Sequence, residues 1–273
     1  MNWVKLAVVQ LDSDINDIQG NLCRANEKIK ECAYQGADIV CLPEAFATTI
    51  NLPRINEQAE YVPGGPICDQ LCSWAKESHV FITAGVLEKE KGRYYSTSVL
   101  INEEGKLIGK YRRKSVYLLE KHFISEGTQT AVFDTKLGKI GLMNGNDIHF
   151  PDITTSMFRE QVEIIICTAQ IPIAYRQLTH MLAQARAAEN CCYFVLASSC
   201  GKNDIARLEF MGGSMVTRSC VGLEPLGFDY ISQESIMTSC GKEEAVLSVD
   251  LDMKKLRREK EQNPHYQALF GDT

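Results

Sequence analysis

Three stretches of this chain carry residue types at spacings that suit acyl chemistry. Glu44 follows the near-continuous apolar run 38–42, behind Pro43. It stands at a predicted strand's C-terminal end, where α/β folds open their ligand crevices. A carboxylate there acts as a partly buried general base or caps the next segment. Residues 109–114, GKYRRK, bring cations to another strand end. Alternation puts Tyr111 and Arg113 on one face and Arg112 and Lys114 on the other. Alone, this reads as a solvated basic strand, and Glu120, in LLEKHF, as a surface charge on a helical turn. The third stretch, KIGLMNGNDIHFPD at 139–152, reads as a buried strand over 140–143, a sharp Asn144-Gly145-Asn146 turn and a helix start at Phe150-Pro151-Asp152. Proline suits a helix's first turn, where its missing donor costs nothing. Strand-to-helix elbows are where α/β enzymes project a nucleophile toward N–H groups that hold an oxyanion. Here the tip is Gly145, which has no side chain to project.

The elements that must position these residues follow from periodicity. Strands are predicted at 4–10, 38–42 and 80–86, with helices at 21–34, stopped by Gly36, and at 67–78. The chain then turns to hairpins, 94–102 with 106–113 across Glu-Glu-Gly, and 131–134 with 139–143 across Leu137-Gly138. The second half repeats the order: a helix after Pro151, a strand at 162–168, a long helix at 175–190, then strands at 192–198, 213–218 and 245–250. A last helix covers 253–261, and its KKLRREK run reads as a solvated face. Two βαβ-containing halves flanked by hairpins predict two mixed sheets packed face to face with helices outside, an αββα sandwich. One doubly wound sheet is the competing architecture. No linker composition, low-complexity segment or fixed-period repeat divides the chain, so residues 1–273 are expected to form a single domain.

A formal charge of −6 and a pI near 5.5 argue against nucleic acid or an anionic membrane as partner. Eleven cysteines, odd in number and mostly inside apolar runs, suit a reduced cytoplasmic interior better than a disulfide framework. The opening MNWVKLAVVQ is too short an apolar run for a signal peptide, and no segment approaches the roughly 20 apolar residues of a membrane span. Cys68 and Cys72, with His79 beyond, make only half a zinc site, so no metal is expected.

Together LPEAF at 42–46, GKYRRKSVYLLEK at 109–121 and GKIGLMNGNDIHFPD at 138–152 resemble the Glu, Lys and Cys motifs of the nitrilase, or carbon–nitrogen hydrolase, superfamily, and RAAEN at 186–190 and GGSMV at 212–216 extend the match. The resemblance covers essentially the whole chain. It implies an αββα sandwich, usually paired into αββααββα dimers, and hydrolysis of amides, nitriles or carbamoyl groups by a Glu–Lys–Cys triad through a thioester, with no metal or cofactor.

Carried over position by position, Glu44 keeps the general base. Without a gap the triad Lys position holds Arg113, supported by Glu120 falling at the family's second glutamate. Lys114 fits only if the strand slips by one, which turns it to the other face. Ser115 replaces the family's His, and Asn144-Gly145-Asn146-Asp147 replaces the cysteine motif. Gly145 thus occupies the nucleophile position without a sulfur, and a guanidinium cannot shuttle protons as an ammonium does. In another hydrolase, loss of the nucleophile costs on the order of a million-fold in turnover.

The expected protein is therefore a catalytically silent homologue, a homodimer or the partner of an active relative, whose remodelled pocket takes a small amide- or carboxylate-like ligand. Candidate ligand contacts are Asn144, Asn146, Cys167 and His149, the last also placed to cap the following helix. The competing expectation is a working amide or carbamoyl hydrolase using Cys167, or a water activated by Glu44, although a buried structural role for Cys167 is favoured. A purely structural subunit would show a pocket plugged with side chains.

Overall fold

A computed structural model of the chain describes residues 1–116, 118–219 and 234–270. Its frame is a pair of six-stranded sheets. The apolar run that opens the chain forms β1 (Trp3–Gln10), and an Asp17 side chain capping the Gly20 N–H starts α1 (Ile18–Tyr34) three residues before the predicted helix. Gly36, at φ +83°, turns the chain out of α1 into β2 (Ile39–Cys41). After the short α2 (Ile55–Gln58), α3 (Pro66–Ser78) opens on a proline and leads to β3 (Phe81–Glu90), β4 (Arg93–Ile101) and β5 (Leu107–Arg112). The first sheet runs β5–β4–β3–β2–β1 and is completed by β14 (Ala245–Asp252), with β1, β2 and β3 mutually parallel.

The second sheet repeats that plan. A hairpin of β6 (Val132–Thr135) and β7 (Gly138–Asn144) is followed by α4 (Pro151–Arg159), β8 (Ile164–Ala169), α5 (Arg176–Glu189) and β9 (Tyr193–Ser198), with β7, β8 and β9 parallel. A two-residue ladder, β10 (Lys202–Asn203) with β11 (Leu208–Glu209), stands apart, while β12 (Met215–Arg218) and β13 (Ile236–Ser239) finish this sheet.

Period-two alternation assigns each strand residue to a layer. On β1, Val4, Leu6 and Val8 face the second sheet, where they meet a core that includes Ile140, Leu142, Ile164, Ile166 and Val195. Ala7 and Val9 face the other way, into a core with Leu22, Ala25 and Ile29 of α1 and Leu71 and Trp74 of α3. Ile153 and Met157 of α4 and Ala183 and Ala187 of α5 pack on the outer side of the second sheet. The result is the expected four-layer sandwich rather than one doubly wound sheet.

Two expectations of solvated charge fail. Lys260, within the predicted solvated run, is 5% exposed and donates from Nζ to the Val162 carbonyl, while Arg257 pairs with Glu163 at 2.6 Å. The helix that follows β14, α6 (Met253–Gln262), is thus tied to the entry of β8 by its charges as well as by Leu256. Likewise Lys110 and Arg112 both reach Glu88, whose side chain is 1% exposed. An edge strand read as water-facing has a buried carboxylate beneath it, which needs partnered cations. No helix among the described residues is long and apolar enough to cross a membrane.

Candidate active site

The C-terminal ends of the parallel strands in both sheets point to one place. β2 delivers Pro43-Glu44, β7 delivers Asn144-Gly145 and β8 delivers Gln170, with β4 and the end of β5 lying alongside. On β4, Ser96, Ser98 and Leu100 face the opposite sheet, so a polar layer sits between the sheets at this end. Ser98 Oγ lies 2.6 Å from Thr168 Oγ1 and Ser96 Oγ donates to Glu44 Oε1 at 2.6 Å.

Glu44 is fully buried, and every contact on its carboxylate is a donor: Ser96 Oγ–H, the Gln170 N–H to Oε2 at 3.0 Å, and Arg113 Nη1 to Oε1 at 3.0 Å. Arg113 is among the largest fully buried side chains of the described residues. Its Nη2 lies 2.8 Å from Glu120 Oε2, so one guanidinium stands between two carboxylates. Glu120 rides a 3₁₀ turn, Leu118–His122, and is 22% exposed, which replaces the free surface charge read from LLEKHF. Lys114 faces outward, its Nζ 3.4 Å from Thr130 Oγ1, so it is Arg113 and not Lys114 that the strand brings to Glu44.

Gly145 begins a 3₁₀ turn, Gly145–His149, at φ +52°, a left-handed conformation open to glycine and costly for other residues. A Cβ added there would stand 2.7 Å from Glu44 Oε2 and 3.4 Å from Arg113 Nη1. The space in which a nucleophile's stem belongs is crowded by the base and bordered by its cation. Asn144 is buried and donates from Nδ2 to Ser96 Oγ at 3.2 Å, so it serves the network instead of presenting an amide to solvent. Asn146 is half-buried on the turn.

Cys167 lies beneath the elbow, its Sγ 3.8 Å from the Gly145 carbonyl and its side chain fully buried. Burial raises this thiol well above its usual value, and the charges of Asp147 and Glu44 push the same way. A thiolate is the nucleophilic form, so this environment suppresses the reactivity that the competing expectation needs. His149 packs edge-to-face against Tyr175 with ring centroids 6.3 Å apart. It does not cap α4, whose N-cap position is Phe150 and carries no side-chain cap.

Sequence reasoning missed two residues that hold the elbow. Asp147, fully buried, accepts from Tyr111 Oη at 2.6 Å, Ser115 Oγ at 2.6 Å, the Ser115 N–H at 2.7 Å and the Lys114 N–H at 3.3 Å. It fastens the segment that carries Arg113 to the turn that carries Gly145, and Ser115, at the resemblance's His position, is one of its donors. Arg186, 4% exposed, sends Nε and Nη2 to the Ile148 carbonyl at 3.2 and 3.1 Å, which clamps the same turn from α5. The acid in Asn-Asp and the Arg of RAAEN were visible, but nothing local marks them as buried.

The charge balance of the centre explains its protonation. The one guanidinium of Arg113 faces both Glu44 and Glu120, and Glu44 is the fully buried one of the two. Burial pushes the Glu44 carboxyl up to about 7, with Arg113 and Ser96 opposing and Glu120 reinforcing the shift. For Arg113, burial disfavours the cation, but Glu44 and then Glu120 outweigh it and raise its pKa. A carboxyl whose folded pKa exceeds its unfolded value stabilises the fold at low pH and loses that contribution as pH rises through the folded value. Stability of the wild type should therefore fall by about 2 kcal/mol between pH 5.5 and 8 through Glu44 alone. Urea titrations across this range should show the fall in the wild type and not in Glu44→Gln; parallel curves for the two proteins would refute it.

The comparisons agree with this architecture. The profile of a family described as carbon–nitrogen hydrolase matches residues 5–219. The chain is 29% identical over 280 residues to the mouse (Mus musculus) omega-amidase NIT2, covering 97% of this chain and 94% of that protein. It is 32% identical over 217 residues to a nitrilase of Pyrococcus abyssi, covering 78% of this chain and 80% of that one. Among solved structures, Saccharomyces cerevisiae Nit3, a nitrilase superfamily member, superposes with a TM-score of 0.82 at 25% identity, over 96% of this chain and 95% of that one.

Proposed function

The chain belongs to the carbon–nitrogen hydrolase family, and we propose that within it this protein is a catalytically silent member, an amidase-type fold that binds or scaffolds without turning over amides. One observation carries the reading: a Cβ at residue 145 would lie 2.7 Å from the Glu44 carboxylate, so the base crowds the place of the nucleophile's stem, with the Arg113 cation at contact distance. An ordinary knock-out leaves a hole where the sulfur was. Here a buried ion network stands at that place, and Glu44, Arg113, Asn144 and Cys167 are each at most 2% exposed.

The reading that the protein still hydrolyses amides through Cys167 or through water on Glu44 has less support. Cys167 is fully buried with a raised pKa, and Glu44, itself fully buried, has Ser96, Arg113 and the Gln170 N–H on its carboxylate. Relatives carry the name omega-amidase, so the fair test includes ω-amides among simple amides, nitriles and ureido acids. Purified protein should release no ammonia above the buffer blank, Cys167→Ser should leave that baseline where it was, and intact mass spectrometry should find no acyl adduct. Turnover that disappears in Glu44→Gln or in Cys167→Ser would overturn the proposal.

A further inference from the structure

Among the described residues, Arg113 has hydrogen-bonding capacity that is not used. Its side chain is 2% exposed, yet among the described residues no acceptor lies on Nε. Nη2 is 2.8 Å from Glu120 Oε2, close enough for an ion pair, but neither atom has an aligned hydrogen bond. The Nη1 position is spent on Glu44. The edge formed by Nε and Nη2, which a carboxylate matches with two parallel hydrogen bonds, is therefore occupied by a carboxylate in a poor pose.

We infer that this edge of Arg113 is a receptor for a small carboxylic acid, occupied in this chain by the side chain of Glu120 as an internal competitor. The inference rests on the reading of the centre as catalytically silent, since it uses the position of a triad cation for binding. Three features fix the ligand class. A buried guanidinium favours an anion, and the fork of Nε and Nη2 selects a planar, two-oxygen one. The group it replaces is a carboxylate on a two-carbon stem, the carbon skeleton of propionate. Access follows Glu120 itself, whose side chain is 22% exposed although its Oε2, against Arg113, is buried, while Glu44 is fully buried. The Leu118 and Leu119 side chains of its turn are 82% and 72% exposed and do not pin it down.

An intramolecular competitor acts at high effective concentration, so its removal should reveal the site. Calorimetric titration of Glu120→Ala with propionate should give binding roughly tenfold or more tighter than the wild type shows, and propionamide, equal in shape but neutral, should bind neither. Glu120→Gln keeps the volume and serves if the alanine variant does not fold. Adding Arg113→Lys to either background keeps the charge but removes the fork, and propionate affinity should fall by roughly tenfold. Three results would each overturn the inference: no gain in propionate affinity without the Glu120 carboxylate, equal binding of propionamide, or indifference to Arg113→Lys. Failure here with no amide turnover leaves the silent-homologue reading standing. Amide turnover by the wild type removes that reading instead.

Discussion

Arg113→Ala should lower stability by about 4 kcal/mol and the melting temperature by roughly 10 °C. Two losses combine. The arginine is among the largest fully buried side chains, so its truncation opens a void that the surrounding strands cannot close. It also removes the counter-charge from Glu120 and from whatever fraction of Glu44 is ionised. Arg113→Met refills much of the volume without charge and should cost about half as much. Thermal and urea unfolding of the three proteins at one pH decide it. An alanine variant within about 1 kcal/mol of the wild type would mean that the centre is neither packed nor electrostatically knit.

Gly145→Cys restores the missing sulfur in name, and it should neither hydrolyse amides nor be well tolerated. A side chain at φ +52° carries about 1 to 2 kcal/mol of backbone strain, and its Cβ would stand 2.7 Å from Glu44 Oε2, so this oxygen, which accepts from the Gln170 N–H, must shift. A total loss of about 3 kcal/mol is expected. Gly145→Ala, which adds the same first carbon, should lose nearly as much. Adding Arg113→Lys to Gly145→Cys removes the bulk of the guanidinium 3.4 Å from the new Cβ and should recover part of the stability. Measurable amide hydrolysis by Gly145→Cys alone would show that Glu44 and Arg113 yield easily, and would remove the physical basis for calling the centre closed.

The fold was largely legible in the chain because its signals are local. Alternating apolar residues mark the strands, Gly36 and Pro151 mark helix boundaries, and two successive βαβ patterns interrupted by hairpins leave few architectures. The register of Tyr111 and Arg113 on one face was equally local, and the two residues do point inward together, to Asp147 and Glu44. What was hidden depends on residues far apart in the chain. Glu88 draws Lys110 and Arg112 off the surface from 22 and 24 positions away, and Val162 draws Lys260 from 98. Whether a charge is solvated is decided by the partner that tertiary packing supplies, and charge patterning along the chain cannot see it. The same holds for Glu120, for the polar layer of Ser96, Ser98 and Thr168, and for His149, which turned to Tyr175 instead of capping its helix.

The pairing of β1 with β14 runs from Trp3 opposite Asp252 to Gln10 opposite Ala245, and the backbone N–H of Met253 closes on the carbonyl of Asn2. A ribosome delivers Trp3 long before Asp252. Throughout that interval the first strand has one hydrogen-bonding edge with no outer neighbour, an opening that invites association with other chains. Maturation of this molecule therefore waits on a late-arriving segment, and a truncation short of Ala245 would leave the seam permanently unsewn.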